Sequence, residues 1–156
     1  MNKKLYGKFL LAYALVGLAS FLLISTLGSR MVQHEVVEFI STTLYKEAAS
    51  IANNQASKYY TEKTSLEDTY DNLKSLSVYQ NSQIWILSNN GEILLNTEKP
   101  LDEEHVEQLP DFDPVALGSG YYSTGHFFNY FNQDMLSVMM PVTTNLVLRG
   151  YIAVHT

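Results

Sequence analysis

Seven carboxylates cluster between residues 98 and 113, where they could bind a cation. They are Glu98, Asp102, Glu103, Glu104, Glu107, Asp111 and Asp113, and with Lys99 they leave this segment a net charge of −6. Carboxylate oxygens bind hard divalent cations, so the candidate metal ligands are Asp102, Glu103, Glu104 and Glu107. The cluster lacks the glycine and the terminal bidentate glutamate of a calcium loop. A solvated acidic segment is therefore the favoured interpretation.

The densest aromatic stretch of the chain runs from Tyr121 to Phe131. Ligand pockets are mostly apolar and aromatic, with a few polar groups that orient the ligand. Arg149 is the only Lys or Arg between Lys99 and residue 156, and a guanidinium can grip a ligand carboxylate with two hydrogen bonds. The candidate ligand-binding residues are Tyr121, Tyr122, His126, Tyr130 and Arg149. The alternative is that the aromatic run is core and that Arg149 forms a surface ion pair.

No motif offers a starting point for enzymatic chemistry. The chain has no cysteine, no Gly-x-Ser-x-Gly, no phosphate-binding loop and no His-Glu-x-x-His. Residues 118–120, Gly-Ser-Gly, precede a strand pattern and not a helix, so they are interpreted as a flexible connection. His34, His105, His126 and His155 lack metal-ligand spacing, and His34 and His155 are expected to be solvated surface residues. We predict no cofactor and no catalytic activity for this chain.

A long apolar segment, residues 9–27, has the length of a membrane-spanning helix. At about 1.5 Å per residue it would cross roughly 30 Å of hydrocarbon. Three lysines precede it and only Arg30 follows closely, so the positive-inside bias places residues 1–8 in the cytoplasm and residues 28–156 outside. A cleaved signal peptide is the alternative, but its apolar region would be shorter, about 7 to 15 residues.

The exported part of the chain is strongly acidic. After residue 30 there are sixteen Asp and Glu against six Lys and Arg, a net charge of −10. A phosphate backbone attracts clusters of Lys and Arg, so no nucleic acid is expected as a partner. The absence of cysteine excludes a disulfide framework and any thiolate metal site.

Periodicity predicts two helices before any strand. Residues 30–60 contain neither Pro nor Gly, and their apolar residues recur at spacings of three to five. This indicates one long amphipathic helix, continuing from the membrane helix with a weak point at Gly28-Ser29. Ser65 resembles a helix N-cap with Asp68 in the first turn, and a short helix is expected to follow.

The period then changes to that of strands. Asn89-Asn90-Gly91 separates two apolar runs, and its Asn-Gly pair predicts a hairpin with a type I′ turn, which needs two positive φ angles. The segment 98–113, called here the crossover, contains prolines and cannot be an interior strand. The predicted strands are Gln83–Leu87, Glu92–Leu95, Tyr121–Phe127, Met135–Val142 and Leu146–His155. Together they predict an α+β domain, a five-stranded antiparallel sheet over residues 83–155 with the helices on one face.

Two stretches of this pattern carry a family resemblance. Residues 84–95, Ile-Trp-Ile-Leu-Ser-Asn-Asn-Gly-Glu-Ile-Leu-Leu, resemble the opening hairpin of PAS-like folds, and residues 137–142 and 149–154 resemble their closing pair. With the membrane helix and the long helix, the layout resembles the single-Cache, or extracytoplasmic PAS-like, sensor domain of bacterial histidine kinases. The resemblance implies a small-molecule pocket between the sheet and the crossover, walled in part by the aromatic stretch.

The resemblance implies the sensory part of a longer membrane receptor in a bacterial cell membrane, most simply a two-component sensor histidine kinase. We expect a homodimer formed through parallel helices at residues 30–60, which would pass a ligand-induced or partner-induced change to the membrane helix. Related domains also occur on chemoreceptors and diguanylate cyclases. The rival hypotheses are a protein-interaction module without a pocket, which a sheet face filled by side chains would favour, and a membrane-tethered enzyme, which would need an acid-base pair in a cleft.

Overall fold

The computed structural model describes residues 3–102, 105–117 and 121–156, with side chains described except at residues 3–5 and 29–34. The side chain of His34 and the Gly-Ser-Gly segment 118–120 therefore lie outside the described residues. The chain forms two compact units, residues 1–39 and 40–156. Each unit is described separately.

The first unit is formed by the N-terminal part of helix α1, which runs from Lys3 to Ile51. Its stretch Tyr6–Gly28 has 23 residues with a mean hydropathy of 2.2, and none of its apolar window is buried. A helix of this length and composition could span a membrane. The apolar helix predicted at residues 9–27 is confirmed, and the structure extends it by three residues at the start and one at the end.

In the second unit, the end of α1 packs on the sheet through side chains spaced three or four apart. Leu44, Ala48 and Ile51 are buried there. The helix continues as a π-helical turn, Ala52–Ala56, and then as α2, Ser57–Tyr60. The helical course predicted to residue 60 is confirmed, whereas the π-helical turn was not predicted. Both of its alanines are buried.

Helix α3, Leu66–Gln80, begins after Ser65 as predicted. The Ser65 side chain accepts a hydrogen bond from the Asp68 amide at 3.0 Å, which satisfies one of the free N–H groups of the first turn. The helix ends at Asn81, which adopts the left-handed conformation with a φ of 52°. Leu73 is fully buried and attaches this helix to the sheet.

The sheet has six antiparallel strands, one more than predicted. They are β1 Gln83–Ser88, β2 Glu92–Asn96, β3 Glu107–Gln108, β4 Tyr122–Gly125, β5 Met135–Thr144 and β6 Val147–His155, in the spatial order β3-β2-β1-β6-β5-β4. The additional strand, β3, is a two-residue edge strand inside the crossover. The α+β class with an antiparallel sheet is confirmed.

Two turns and the end of β4 differ from the sequence prediction, and the other strand bounds that differ are shifted by one or two residues. Among the three described turn residues 89–91, only Gly91 has a positive φ, 84°, so the predicted type I′ turn is wrong. The turn has three residues, 89–91, one more than a type I′ turn. A register shift between Ile86 and Leu87 accommodates this extra residue in the pairing of β1 and β2. The turn with two positive φ angles instead joins β5 and β6, at Asn145 and Leu146. Strand β4 ends at Gly125 instead of Phe127, because the chain turns left-handed there.

Hydrophobic clusters cover both faces of the sheet. On the helix face, Ile84, Ile86, Val138, Ile152 and Val154 pack against α1 and α3. The opposite face, called here the crossover face, contains a second cluster of buried residues. Its members are Trp85, Leu87, Ile93, Leu109, Phe127, Met139 and Ala153. Any site between the sheet and the crossover must be built on this second face.

Candidate functional site

Trp85 is the centre of an aromatic cluster on the crossover face. It is fully buried on β1, and its ring centroid lies 4.8 Å from that of Tyr130 and 5.3 Å from that of Phe131. The Phe127 and His155 centroids lie 6.1 and 4.3 Å away. Most of these rings meet edge to face, which is a favourable geometry for aromatic pairs. Rings therefore fill the middle of the face.

Residues 126–131, called here the aromatic turn, supply much of this cover. Phe127, Phe128 and Asn129 have φ angles of 36, 51 and 58°, and each non-glycine residue in this region costs roughly 1–2 kcal/mol. The Phe131 amide donates to the His126 carbonyl at 3.0 Å. Burial of the Phe127 ring offsets part of the strain. The turn is thus held in place by its packing on the sheet.

A polar clasp, formed by Lys99, Glu107 and Tyr130, joins the crossover to the aromatic turn. Lys99 Nζ pairs with Glu107 Oε1 and donates to the Tyr130 hydroxyl at 3.0 Å. That hydroxyl donates to Glu107 Oε2 at 2.7 Å. Hydrogen bonds from Lys99 and then Tyr130 hold the pKa of Glu107 below its usual value. Because both charged side chains are about half exposed, the clasp contributes little stability and mainly fixes geometry.

His155, at the end of β6, is fully buried, which corrects the expectation that it is a solvated surface residue. Its Nδ1 lies 2.8 Å from Ser137 Oγ. Its ring also stacks edge to face on Phe127 and Phe131. Its Nε2 has no hydrogen-bond partner among the described residues. Burial lowers the pKa of His155 to about 3, so the ring is neutral in the folded domain.

Two small cavities adjoin the cluster, beside a larger open groove of about 480 Å³ that reaches His155. One cavity, of about 310 Å³, lies between the residues that follow the crossover and strands β5 and β6, and it is lined by Pro114, Val115, Leu117, Tyr121, Met139, Pro141, Leu148 and Tyr151. The other, of about 230 Å³, lies beside β2 and is lined by apolar residues together with Lys99, Asp102, His105 and Glu107. Both are at or below the lower end of the usual range for ligand pockets.

The five predicted ligand-binding residues do not line one cavity in the described structure. Tyr121 lies 4.9 Å from Tyr45 of α1, ring to ring, and Tyr122 packs on the helix face. Tyr130 belongs to the crossover face and to the clasp. His126 is exposed, with Nδ1 2.7 Å from the Phe131 carbonyl. Arg149 is exposed and donates from Nε to Thr144 Oγ1 at 2.9 Å. Ligand binding by these residues stays a prediction.

The predicted metal ligands are only partly within the described residues, since Glu103 and Glu104 are outside them. Glu107 is engaged in the clasp, and Asp102 lies 3.2 Å from His105 Nδ1. Among residues 3–102, 105–117 and 121–156, no three His, Asp or Glu side chains form a group that could hold a metal ion. Cation binding by the acidic segment stays a prediction.

Sequence reasoning missed the partnership of Trp85, Ser137 and His155. The signal was available in part, because Tyr151, Ala153 and His155 alternate along β6 and therefore share a face. Which face is buried, and which strand lies opposite, depends on the pairing of β6 between β1 and β5. The antiparallel pairing of β5 and β6 was expected from their order, but the pairing of β6 with β1 was not.

No family model and no curated protein matches the sequence. Among solved structures, the chain is similar to the ligand-binding domain of the Campylobacter jejuni chemoreceptor Tlp3 in complex with L-valine, at 14% identity and a TM-score of 0.48. The alignment covers 87% of this chain and 61% of that one, so the chain spans less than two thirds of that domain.

A second similar structure is the GAF domain from Acinetobacter phosphoenolpyruvate-protein phosphotransferase. The identity is 13% and the TM-score 0.35, and the alignment covers 75% of this chain and 77% of that domain. Likeness at this level does not establish a shared ligand or a shared activity.

Proposed function

We propose that this chain is the extracytoplasmic sensing region of a bacterial membrane receptor, and that the receptor is a sensor histidine kinase. One observation carries the proposal. Helix α1, Lys3–Ile51, includes both the exposed apolar stretch Tyr6–Gly28 and the residues Leu44, Ala48 and Ile51 that pack on the sheet. A domain whose core includes the same helix as its membrane segment is suited to passing a change in packing to the bilayer.

The absence of cysteine in the sequence makes membrane topology directly testable. Leu146 is 98% exposed at the β5–β6 turn, so Leu146→Cys in the full chain should react with a membrane-impermeant maleimide in intact cells. Lys8→Cys, near the N-terminal end of the apolar stretch and just before the predicted span 9–27, should react only after lysis. Labelling of Lys8→Cys alone in intact cells would contradict the proposed orientation.

The proposed homodimer is tested in membranes with a second cysteine pair. Phe39 on α1 is 75% exposed and Tyr79 on α3 is 88% exposed. If parallel α1 helices form the dimer, Phe39→Cys should give a disulfide-linked dimer on mild oxidation, and the matched Tyr79→Cys should not. Equal cross-linking at both positions would contradict dimerisation through α1.

The kinase class is tested by joining residues 1–156 to the membrane and cytoplasmic parts of a characterised histidine kinase. Autophosphorylation that changes when the sensing domain is perturbed, for example by Leu73→Ala, supports the proposal. Constant autophosphorylation in a correctly folded and oriented chimera would contradict it. The coding sequence beyond Thr156 provides an independent test, since a kinase requires a second apolar segment followed by catalytic modules.

A protein-interaction module is the second candidate function, and the aromatic cluster favours it. Trp85, Phe127, Tyr130 and Phe131 fill the middle of the crossover face, and the two cavities beside the crossover are small. A thermal-shift screen of the full chain in detergent against carboxylates, amino acids and divalent cations separates the two. A ligand that binds the native state raises the melting temperature, whereas an interaction module should show no shift with any of them.

A further inference from the structure

His155 occupies a site that accommodates only its neutral form. The side chain is 0% exposed, and rings of Trp85, Phe127 and Phe131 surround it with centroids 4.3 to 5.0 Å away. Its one hydrogen bond joins Nδ1 to Ser137 Oγ. The protonated ring carries N–H on both nitrogens: Nδ1–H could donate to Ser137 Oγ, whereas Nε2–H has no partner among the described residues. A protonated ring would be a buried charge without a counter-ion.

The charged groups that share a groove with His155 are paired with each other. Lys74 of α3 and Glu98 at the start of the crossover line a groove that also reaches His155, but they lie 3.8 Å from each other as an ion pair. From the aromatic turn, the Tyr130 hydroxyl is engaged in the clasp. Strand β1 contributes Trp85 and strand β5 contributes Ser137, neither of which is charged.

Other titratable groups of this region are His126 and Asp134, the clasp residues Lys99 and Glu107, and Tyr151 of the cluster. His126 Nδ1 lies 2.7 Å from the Phe131 carbonyl, and Nε2 lies 3.8 Å from Asp134 Oδ1. His126 is exposed and contacts the aromatic turn and Asp134 from the outside of the cluster.

We propose that the domain responds to acidification through His155, which can take up a proton only when the aromatic turn lifts away from the sheet. The inference names the proton as the signal and rests on the proposed sensing function for its biological meaning. The strained φ angles at residues 127–129 make the turn a suitable moving part, since opening releases that strain. The proton added on opening goes to a ring nitrogen that the closed form keeps unprotonated.

The size of the response follows from the burial of the ring. In the closed form burial lowers the pKa of His155 from 6.5 to about 3, and in the open form the ring regains its ordinary value. Between about pH 7.5 and about pH 5, the open form should gain about 30-fold relative to the closed form. Glu107 does not contribute in this interval, because its pKa is held below its usual value.

Amide hydrogen exchange of the full chain in detergent micelles measures this opening. The Tyr130 and Phe131 amides are hydrogen-bonded within the aromatic turn. After correction for intrinsic exchange, their protection should fall about 30-fold between about pH 7.5 and about pH 5. It should be lower than that of β1 amides at either pH. Equal protection in the turn and in β1, or protection that does not change with pH, would overturn the proposal.

Two variants separate the histidines. His155→Gln should abolish the pH response, and His126→Gln should retain it. If His155→Gln does not fold, a second measurement replaces it. Acrylamide quenching of Trp85, the single tryptophan, is then compared between the wild type and His126→Gln. Quenching should rise on acidification in both proteins. Loss of the rise in His126→Gln would show that the response comes from His126, which contradicts the proposal.

Failure of this inference is distinguishable from failure of the proposed function. External labelling of Leu146→Cys without a pH response overturns only the acid signal. A pH response in a domain that is labelled only after lysis supports the conformational inference and contradicts the proposed receptor.

Discussion

Substitution of Gly150 by alanine tests whether the sheet packs against the end of α2 as described. Gly150 lies on β6, opposite Ser88 of β1 and Val142 of β5. A Cβ atom at this position would overlap the Leu87 carbonyl oxygen and the Tyr60 hydroxyl, and it would lie 3.2 Å from Tyr60 Cζ. The carbonyl belongs to the β1 backbone, so it cannot move without disturbing the pairing of β1 and β6.

The expected cost has two parts. Overpacking a filled interior typically costs about 1–3 kcal/mol. Displacing Tyr60 also weakens the bond from its hydroxyl to the Leu87 carbonyl, 3.2 Å in the native domain, which contributes about 0.5–1.5 kcal/mol. We therefore expect Gly150→Ala to lower the free energy of unfolding by roughly 2–4 kcal/mol.

Urea unfolding of the full chain in detergent, followed by Trp85 fluorescence, measures this change. Tyr60→Phe removes one of the two overlapping atoms, so the double variant should cost about 1 kcal/mol less than the sum of the single variants. Gly28→Ala is the matched control, because nothing lies within 4 Å of a Cβ there. A Gly150→Ala variant within about 0.5 kcal/mol of the wild type would refute the packing described here.

Three further predictions follow from single residues. Leu73→Ala, at a fully buried position, should cost about 2–5 kcal/mol in the same urea assay, and a cost below about 1 kcal/mol would mean that α3 is not docked as described. Ser65→Ala should cost about 0.5–2 kcal/mol through the lost bond to the Asp68 amide, whereas an unchanged melting temperature would contradict that cap. Tyr130→Phe should move the pKa of Glu107 upward, toward its usual value, in an NMR titration, and no movement would exclude the clasp.

Sequence-based prediction succeeded for features that depend on interactions between residues close in sequence. The Ser65 cap, the helix that follows it and the hairpin around Gly91 depend on hydrogen bonds and φ preferences within a few residues, and all three are present. The predicted type I′ turn was wrong because the hairpin closes with a turn that is one residue longer, which the register shift in β1 and β2 accommodates. The strand predicted to reach Phe127 ends early because packing of the aromatic turn outweighs β propensity.

The sequence by itself determined the apolar helix, the α+β class and the antiparallel strands, because hydrophobic run length and periodicity specify these without knowledge of distant partners. Only the tertiary structure decided which residues meet across the crossover face. His155 looks like a surface residue at a strand end, and it becomes a buried neutral base once β6 lies between β1 and β5 and the aromatic turn covers Trp85. Burial and the pKa shift it causes depend on contacts between residues distant in sequence, which local patterns do not encode.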